Sequence, residues 1–350
     1  MSSLPLSEAI KTYEVPWLEE DWPIDWEEVF GRTTPLVVEI GFGNGQFLEQ
    51  EAAAAPDVSF VGVERSWGSI QRLFKRLEAA SLDNVRVVQG DAAFALARLF
   101  PNDSIEKVYI NFSDPWPKER HHGRRLIQPT FVQMLAQRLT PGQGEAVIAT
   151  DHAGYAEWIG EVLTGQTLLR LAHPTPSVSA LAGRRPTKYE RRAIGAGTPI
   201  HYFVWRRGDE PSAPGHIERV GPMPNVVLTG ASDGVHLLDE FETQTWQGDR
   251  RGVSTLVKLG EVYSASTDRH RLVEAMVREG ELAQHIGILV VARPGGQVLI
   301  KLSPMGHPRP TWGVKKAVWL VAQAVLSLHP GTTLVSSTVG EEFSEDRGIS

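Results

Sequence analysis

Between residues 36 and 164 the chain alternates short apolar runs with segments of helical periodicity, and this alternation restricts its fold more than any other feature. Five runs are predicted to be strands: 36–40, 58–63, 85–89, 107–112 and 145–150. Each precedes a predicted helix: 45–55, 67–80, 92–100, 129–139 and 155–164. Strands and helices that alternate in this way predict βαβ units, and therefore an α/β fold with a doubly wound, mostly parallel sheet. Residues 201–205 are expected to form a late strand that returns to the edge of this sheet.

The second part of the chain has a different pattern. Residues 208–224 contain four prolines and three glycines without apolar periodicity, which is typical of a linker. Beyond it, strands are predicted at 226–229, 235–246, 253–265, 288–292, 298–302 and 333–337, and helices at 269–284 and 314–328. We therefore expect an acidic N-terminal segment (1–34), an α/β domain (35–207), a linker (208–224) and a smaller α+β domain (225–350) of unknown role.

Composition narrows the classes of protein to consider. The chain of 350 residues has no cysteine, which excludes disulfides and thiolate metal sites and agrees with a cytoplasmic location. We find no run of eighteen apolar residues and no secretion leader, so we expect no membrane association. The net charge is −7, but residues 115–207 hold thirteen Lys and Arg against six Asp and Glu. A nucleic-acid partner is therefore not excluded, although scattered solvated charges would give the same count.

Three glycines lie where the first predicted strand meets the first predicted helix. Gly41, Gly43 and Gly45 occupy alternate positions, which lets the backbone pass close to a ligand. Ligands bind at the carboxyl ends of strands in doubly wound sheets. Because Gln46 stands where the dinucleotide fingerprint G-x-G-x-x-G requires glycine, a dinucleotide is disfavoured. A loop of this kind alone is also compatible with an ordinary turn.

Acidic residues end the first three predicted strands. Glu39, Glu64 and Asp91 would line one crevice, and such a lining would repel a pyrophosphate. S-adenosyl-L-methionine has no phosphate, and its ammonium, ribose diol and adenine amine can all donate hydrogen bonds to carboxylates. We therefore predict this cofactor, with solvated loop carboxylates as the alternative.

The fourth predicted strand runs into Asp114-Pro115-Trp116, followed by a basic segment. An acid and a flat aromatic side chain at the mouth of a cleft are suited to holding a planar base, and nearby cations to gripping phosphates. The first basic cluster comprises Lys118, Arg120, Arg124 and Arg125. The second comprises Arg184, Arg185, Lys188, Arg191 and Arg192. Because both fall in predicted loops, we favour a phosphate-binding rim over solvated faces. His121 and His122 lack a third ligand at a suitable spacing, so no metal site is expected.

Taken together, these segments resemble the bacterial tRNA (guanine-N7)-methyltransferases, in the family's order and approximate spacing, over about residues 25–207. The resemblance implies a Rossmann-like class I methyltransferase fold and methyl transfer from S-adenosyl-L-methionine to a tRNA guanine, number 46 of the variable loop. It is carried by the segments 39–45, 114–118, 120–125, 149–151 and 187–190. Residues 225–350 are absent from the shorter bacterial members, so we expect only an accessory RNA-binding domain or a subunit contact in a homodimer.

The resemblance also implies roles for individual residues. The cofactor-contacting acids are Glu39, Glu64, Asp91 and Asp114, and Asp114 is the active-site residue. The substrate-contacting positions are Lys118, Asp151, Thr187, Lys188, Tyr189 and Glu190. Glu119 and Gly123 stand where the family often has a basic residue, so the loop here is less basic.

The chemistry of guanine N7 agrees with these roles. N7 has a lone pair and no proton, so methylation needs positioning rather than a general base. Asp114 would either orient the guanine through its Watson–Crick edge or stabilise the developing positive charge. Trp116 would either stack on the base or pack the turn. Two rival hypotheses are an adenosylmethionine-dependent enzyme with another substrate and a catalytically silent tRNA-binding relative.

Overall fold

The computed structural model describes residues 5–213, 219, 221–230, 237–250, 253–264, 270–280, 282–305, 308–340 and 343. The chain divides into two compact units, residues 1–218 and 219–350. No helix in these described ranges is long and apolar enough to cross a membrane.

The first unit is built on a seven-stranded sheet in the order β3-β2-β1-β4-β5-β7-β6. Its strands are β1 (Leu36–Ile40), β2 (Ser59–Glu64), β3 (Val85–Gln89), β4 (Lys107–Asn111), β5 (Glu145–Thr150), β6 (Leu169–Leu171) and β7 (His201–Arg207). Strands β1 to β5 are parallel, β7 is antiparallel to β5, and β6 is antiparallel to β7. The strand order reverses between β1 and β4, which is where such sheets bind ligands.

Helices surround this sheet. They are α1 (Leu6–Tyr13), α2 (Trp26–Phe30), α3 (Gln46–Ala54), α4 (Trp67–Ala79), α5 (Ala92–Arg98), α6 (Pro129–Arg138), α7 (Ala153–Thr164) and α8 (Lys188–Gly195), with a 3₁₀ helix at Glu119–Arg124. All five residues of β1 are buried, as expected for a central parallel strand covered on both faces. The α/β fold with a doubly wound, mostly parallel sheet is confirmed, and the five predicted parallel strands and the helices between them differ from the observed ones by at most two residues at each end.

Five elements of the first unit were not predicted: α1, α2, α8, β6 and the 3₁₀ helix. Strand β6 has only three residues, two of them exposed, so it carries little apolar signal. Its presence corrects the expected position of the late strand, because β7 lies between β5 and β6 rather than at the sheet edge.

The second unit is a seven-stranded antiparallel sheet, ordered β14-β8-β13-β12-β11-β10-β9, with one long helix. Its elements are β8 (Asn225–Thr229), β9 (Gln244–Arg250), β10 (Val253–Ser264), β11 (His270–Glu279), β12 (Leu282–Arg293), β13 (Gln297–Leu302), α9 (Trp312–Leu328) and β14 (Thr333–Ser337). Helix α9 and the alternate strand residues that are buried form one apolar core. The α+β class is confirmed for this unit.

Two predictions for the second unit were wrong. The helix expected at 269–284 is instead β11 and the start of β12. Val273, Ala275 and Val277 are buried and the residues between them are not, which is a strand period of two. Glu, Ala and Met in this segment favour a helix, but packing overrides propensity. The strand expected at 235–246 begins only at Gln244: residues 237–240 form a turn, and 235 and 236 lie outside the described residues.

Candidate active site

The reversal point of the first sheet brings Glu39 of β1 next to Asn111 of β4. Glu39 is only 2% exposed, and its Oε1 accepts a hydrogen bond of 2.9 Å from Asn111 Nδ2. Its second oxygen, Oε2, is buried without a hydrogen-bond partner among the described residues. Burial raises the pKa of Glu39 to about 8, although the Asn111 hydrogen bond and the nearby Arg184 charge oppose this rise. Burying this carboxyl group with one oxygen unpartnered therefore costs free energy, and a cationic or hydrogen-bonding ligand would reduce that cost.

This raised pKa predicts how stability changes with pH. The native state keeps the Glu39 proton up to about pH 8, whereas the unfolded chain loses it near 4.5, so the Glu39 contribution to stability falls between these values. The span corresponds to on the order of 3–5 kcal/mol. Without ligand, the Tm of Glu39→Gln minus that of the wild type should therefore increase from pH 5 to pH 8, by at least about 5 °C. The exposed Glu106→Gln is the control. A pH-independent Tm difference for Glu39→Gln would contradict the raised pKa.

The glycine loop after β1 needs glycine at all three positions for conformational reasons. Gly41, Gly43 and Gly45 have φ of +70°, +57° and +73°, which side-chain-bearing residues rarely adopt. A Cβ on Gly45 would lie 2.6 Å from Leu73 Cδ1, so this glycine allows close packing. At Gly41 and Gly43 a Cβ would meet nothing within 4 Å, which leaves open space for a ligand beside the loop backbone.

Glu64, the last residue of β2, fixes this loop from the neighbouring strand. Its Oε2 accepts a hydrogen bond of 3.1 Å from Gly43 N–H. Its Oε1 accepts from the N–H groups of Arg65 (2.9 Å) and Ser66 (3.0 Å). The side chain is half-buried, so the carboxylate both shapes the loop and stays accessible at the crevice.

Asp91 follows β3 and begins α5. Its Oδ1 accepts hydrogen bonds from the N–H groups of Ala93 (2.9 Å) and Phe94 (3.1 Å), which makes Asp91 the N-cap of this helix. Its Oδ2 lies 3.9 Å from Arg65 Nη1, with both side chains well exposed. One oxygen therefore caps the helix, and the other belongs to the partly exposed side of the carboxylate, near Arg65.

The loop after β4 carries the exposed Asp114 between two strained aromatic residues. Phe112 and Trp116 have φ of +53° and +42°, each costing about 1–3 kcal/mol for a bulky side chain. Among the described residues, none forms a hydrogen bond or ion pair with the Asp114 carboxylate. The surrounding structure therefore holds this loop in a strained conformation, and the Asp114 carboxylate remains available to a ligand.

Contacts from three sides hold this loop. Phe112 N–H donates to the Ala149 carbonyl (2.9 Å), continuing the contact between β4 and β5. The hydroxyls of Ser113 and Tyr155 are 3.2 Å apart. Arg125 is only 5% exposed, and its Nε donates to the Pro115 carbonyl at 2.9 Å. Arg125 thus braces the loop instead of facing solvent.

The Trp116 ring has neighbours from the basic segment. The Arg124 guanidinium lies 5.3 Å from the ring centroid, and His121 meets the ring edge-on at 5.7 Å. Trp116 is half-buried, whereas Lys118, Arg120 and Arg124 are exposed. These three cations form an exposed basic surface next to Asp114, which we call the loop rim.

The start of helix α8 packs near the carboxyl ends of the strands. The Tyr189 ring is 57% exposed and stacks on Phe112, with centroids 5.9 Å apart. Lys188 is also exposed, as is Asp151, which follows β5. The structure thus brings Asp114, Asp151, Lys188 and Tyr189 to the carboxyl edge of the sheet, where their side chains are accessible.

Thr187 and Glu190 are placed differently. Thr187 caps α8 by accepting from Glu190 N–H (3.0 Å), and Glu190 Oε2 accepts from Thr187 N–H (2.6 Å), which is a capping box. Glu190 is only 1% exposed and pairs with Arg184 at 2.7 Å. Burial would raise the pKa of Glu190, but the hydrogen bond and charge of Arg184 lower it below its usual value. Both side chains are therefore buried and are engaged in hydrogen bonds within the protein.

Asn111 was not recognised from the sequence as a site residue, and Arg184 was predicted only as a member of the phosphate-binding rim. The Arg184 side chain is 7% exposed, so it does not belong to the expected phosphate rim. Its Nη2 donates to Asn111 Oδ1 at 2.6 Å. Asn111 lies near the predicted carboxyl end of the fourth strand, where such sheets bind ligands, so its position was a signal of a role in the site. Arg184 lies in a cluster of charged residues, and nothing in that cluster indicates that one of its side chains is buried.

Comparisons with known proteins show which family the chain belongs to. A family model described as a putative methyltransferase matches residues 33–203. A tRNA (guanine-N(7)-)-methyltransferase of Mycolicibacterium paratuberculosis is 40% identical over 53% of this chain and 71% of its own length. This chain belongs to the tRNA (guanine-N(7)-)-methyltransferase family. Relatives of the same name from Alkalilimnicola ehrlichii (39% identical, 54% and 79% covered) and Halorhodospira halophila (41%, 52% and 79%) match the same part of the chain. The solved 16S rRNA methyltransferase KamB aligns at 14% identity over 53% of this chain and 93% of that chain, with a TM-score of 0.41, and adds nothing to the assignment.

The cofactor of this methyltransferase family is S-adenosyl-L-methionine, and the crevice fits it. Open space beside Gly41 and Gly43 allows close approach to the loop backbone. When the Glu39 carboxyl group ionises beside a cationic ligand, its unpartnered Oε2 is a buried acceptor, and Glu64 is an accessible one. A cofactor with several donors and no phosphate matches this set of acceptors.

Proposed function

We propose that this chain transfers a methyl group to N7 of a guanine in tRNA, and that this guanine is number 46 of the variable loop. The observation that carries the proposal is the 39–41% identity to relatives named tRNA (guanine-N(7)-)-methyltransferases, of whose length the chain spans 71–79%. The exposed Asp114, next to the loop rim, supports a base-binding site with phosphate contacts around it.

S-adenosyl-L-methionine supplies an electrophilic methyl group when it is bound. The acceptor N7 already has a lone pair, so no side chain needs to remove a proton. The residues of this chain instead hold the base in line and favour positive charge on the ring. Asp114 performs this task, because its carboxylate is exposed and has no hydrogen-bond or ion-pair partner among the described residues. In this proposal Glu39, Glu64, Asp91, Asp114 and the glycines Gly41, Gly43 and Gly45 form the cofactor site.

The tRNA-contacting residues divide into two groups. Lys118, Arg120, Arg124, Asp151, Lys188 and Tyr189 are exposed and contact the RNA directly in this proposal. The other group is buried and acts indirectly. Arg125 fixes the Asp114 loop, and Thr187 and Glu190 fix the start of α8. Trp116 stacks on the target base, and Arg124 supports the far side of its ring.

This division predicts a salt effect. Each cation that neutralises a phosphate steepens the fall of affinity with salt by about one unit in a log–log plot. Wild-type tRNA affinity should therefore fall steeply with salt, and Lys118→Gln with Arg124→Gln should reduce the slope by about two. The measurement is filter binding between 50 and 300 mM KCl, a range of about sixfold in ionic strength. A flat response for the wild type, or an unchanged slope for the double variant, would contradict the loop rim.

The rest of the chain receives a broader proposal. We propose the division into an acidic segment (1–34), a methyltransferase domain (35–207), a linker (208–224) and an accessory domain (225–350) in a cytoplasmic protein. The accessory domain binds RNA or contacts a second copy in a homodimer. Truncation after Ala213 should then weaken tRNA binding at least about tenfold or shift the mass in solution from dimer to monomer. Truncated protein with neither change would show that the accessory domain does neither.

A pair of tRNA transcripts tests the position proposed. A transcript with guanine at position 46 should gain one labelled methyl group, recovered as 7-methylguanosine, and one with adenine there should gain none. Equal labelling of both transcripts would overturn position 46. Label in a different nucleoside would overturn N7 methylation itself.

A further inference from the structure

The Arg184 guanidinium stands at the centre of a buried hydrogen-bond network. Its Nε and Nη2 donate to the two oxygens of Glu190, at 2.7 and 3.2 Å. The same Nη2 donates to Asn111 Oδ1 at 2.6 Å. A guanidinium has five donors in a rigid plane and can bridge two acceptors at once, which a lysine ammonium cannot do with the same geometry.

On one side the network reaches the tRNA-contacting segment. Glu190 Oε1 also accepts from the Tyr202 hydroxyl at 2.8 Å, and its Oε2 accepts from Thr187 N–H at 2.6 Å. The two oxygens of Glu190 thus accept four hydrogen bonds, which fills their lone pairs. With no acceptor capacity left for RNA, Glu190 instead sets the position of the first turn of α8, where Lys188 and Tyr189 project to solvent.

On the other side the network reaches the cofactor crevice. The Asn111 amide that accepts from Arg184 donates through Nδ2 to Glu39 Oε1 at 2.9 Å. Two polar atoms of the network, Glu39 Oε2 and Arg184 Nη1, are buried without a hydrogen-bond partner among the described residues. Such unmet groups cost about 1–3 kcal/mol each, so the network changes energy when a ligand satisfies one of them.

We propose that Arg184 is a positioning residue that couples the cofactor crevice to the tRNA-contacting start of α8. A ligand that binds Glu39 changes the hydrogen bond between Asn111 and Arg184. Because Arg184 also binds Glu190, the change reaches the start of α8. There it favours the arrangement of Lys188 and Tyr189 that binds tRNA. The inference rests on the proposed function, since it needs both ligands to bind.

The test is a binding cycle. The tRNA dissociation constant is measured with and without saturating S-adenosylhomocysteine for the wild type and for Arg184→Lys. The ratio of the two constants is the coupling, which we expect to be at least about fivefold for the wild type. In Arg184→Lys it should fall to about one, because the positive charge remains but the bridge is lost.

Two further variants make the result specific. The control Arg206→Lys breaks another Arg–Glu pair of the same unit, in which Arg206 Nε lies 2.9 Å from Glu145 Oε1 at the start of β5, and it should keep the wild-type ratio. Asn111→Ala cuts the link on the cofactor side while leaving the Arg184–Glu190 pair, and its ratio should also fall to about one. If Arg184→Lys does not fold, the ratio measured for Asn111→Ala decides whether the coupling exists.

The outcomes separate the coupling from the function. A wild-type ratio of one in protein that produces 7-methylguanosine would overturn the coupling and leave the function standing. A full ratio in both Arg184→Lys and Asn111→Ala would also overturn it. Wild-type protein that binds neither ligand would overturn the proposed function, and the coupling with it.

Discussion

Replacing Asp114 with asparagine should lower kcat for tRNA methylation by about 100-fold or more. The exposed carboxylate has no described partner inside the protein, so its negative charge is available to orient the guanine and to stabilise the cationic ring. Loss of one preorganised electrostatic contact at a reacting group costs about 10²–10³ in rate. Initial rates with labelled methyl donor and saturating tRNA measure the effect.

Two observations keep this result specific. Calorimetry should show that Asp114→Asn weakens cofactor binding by less than about tenfold, so that the loss lies mainly in catalysis. Glu119→Gln, which removes another exposed acid from the same loop, should keep activity within about twofold of the wild type. If Asp114→Asn were as active as Glu119→Gln, the role given to Asp114 would be wrong.

Replacing Glu64 with alanine should raise the dissociation constant of S-adenosyl-L-methionine about 100-fold. The change removes the hydrogen bonds to the N–H groups of Gly43, Arg65 and Ser66, so the glycine loop loses its anchor on β2. It also removes an accessible acceptor, and a hydrogen bond to a charged group is worth about 1.5–3 kcal/mol. Titration calorimetry without tRNA measures the change.

The matched control is Glu49→Gln on α3, whose carboxylate pairs with Arg76 at 3.1 Å. That variant also loses an acid beside the glycine loop, but one already engaged in an ion pair, and should bind cofactor within about threefold of the wild type. Equal affinities for Glu64→Ala and Glu49→Gln would show that Glu64 contributes nothing to cofactor binding.

The first sheet was predictable because parallel strands buried on both faces are nearly continuous apolar runs. Such a run at 36–40 reads as a strand whatever its neighbours do, and acids at strand ends follow by position. The second unit was harder because a strand with one exposed face contains polar residues of good helix propensity. Glu274 and Met276 made β11 look helical, although its buried residues alternate.

The exposed residues of the site could be predicted from their positions at strand ends, but the buried contacts that hold them could not. The spacing of Thr187 and Glu190 is that of a capping box, a signal that would have predicted the start of α8 from the sequence. Asp91 could be placed at a strand end but not recognised as a helix cap as well. Arg184 and Arg185 are adjacent in the sequence, yet one is buried against Glu190 and the other is half-exposed beside Glu51, a difference that only tertiary packing decides.

The most direct test of the central claim is nucleoside analysis of bulk tRNA after incubation with the purified full-length protein and labelled S-adenosyl-L-methionine. We expect label to enter tRNA and to be recovered as 7-methylguanosine, with little or none when Asp114→Asn replaces the wild type. Protein that binds the donor yet leaves tRNA unlabelled, or places the label in any nucleoside other than 7-methylguanosine, would contradict it.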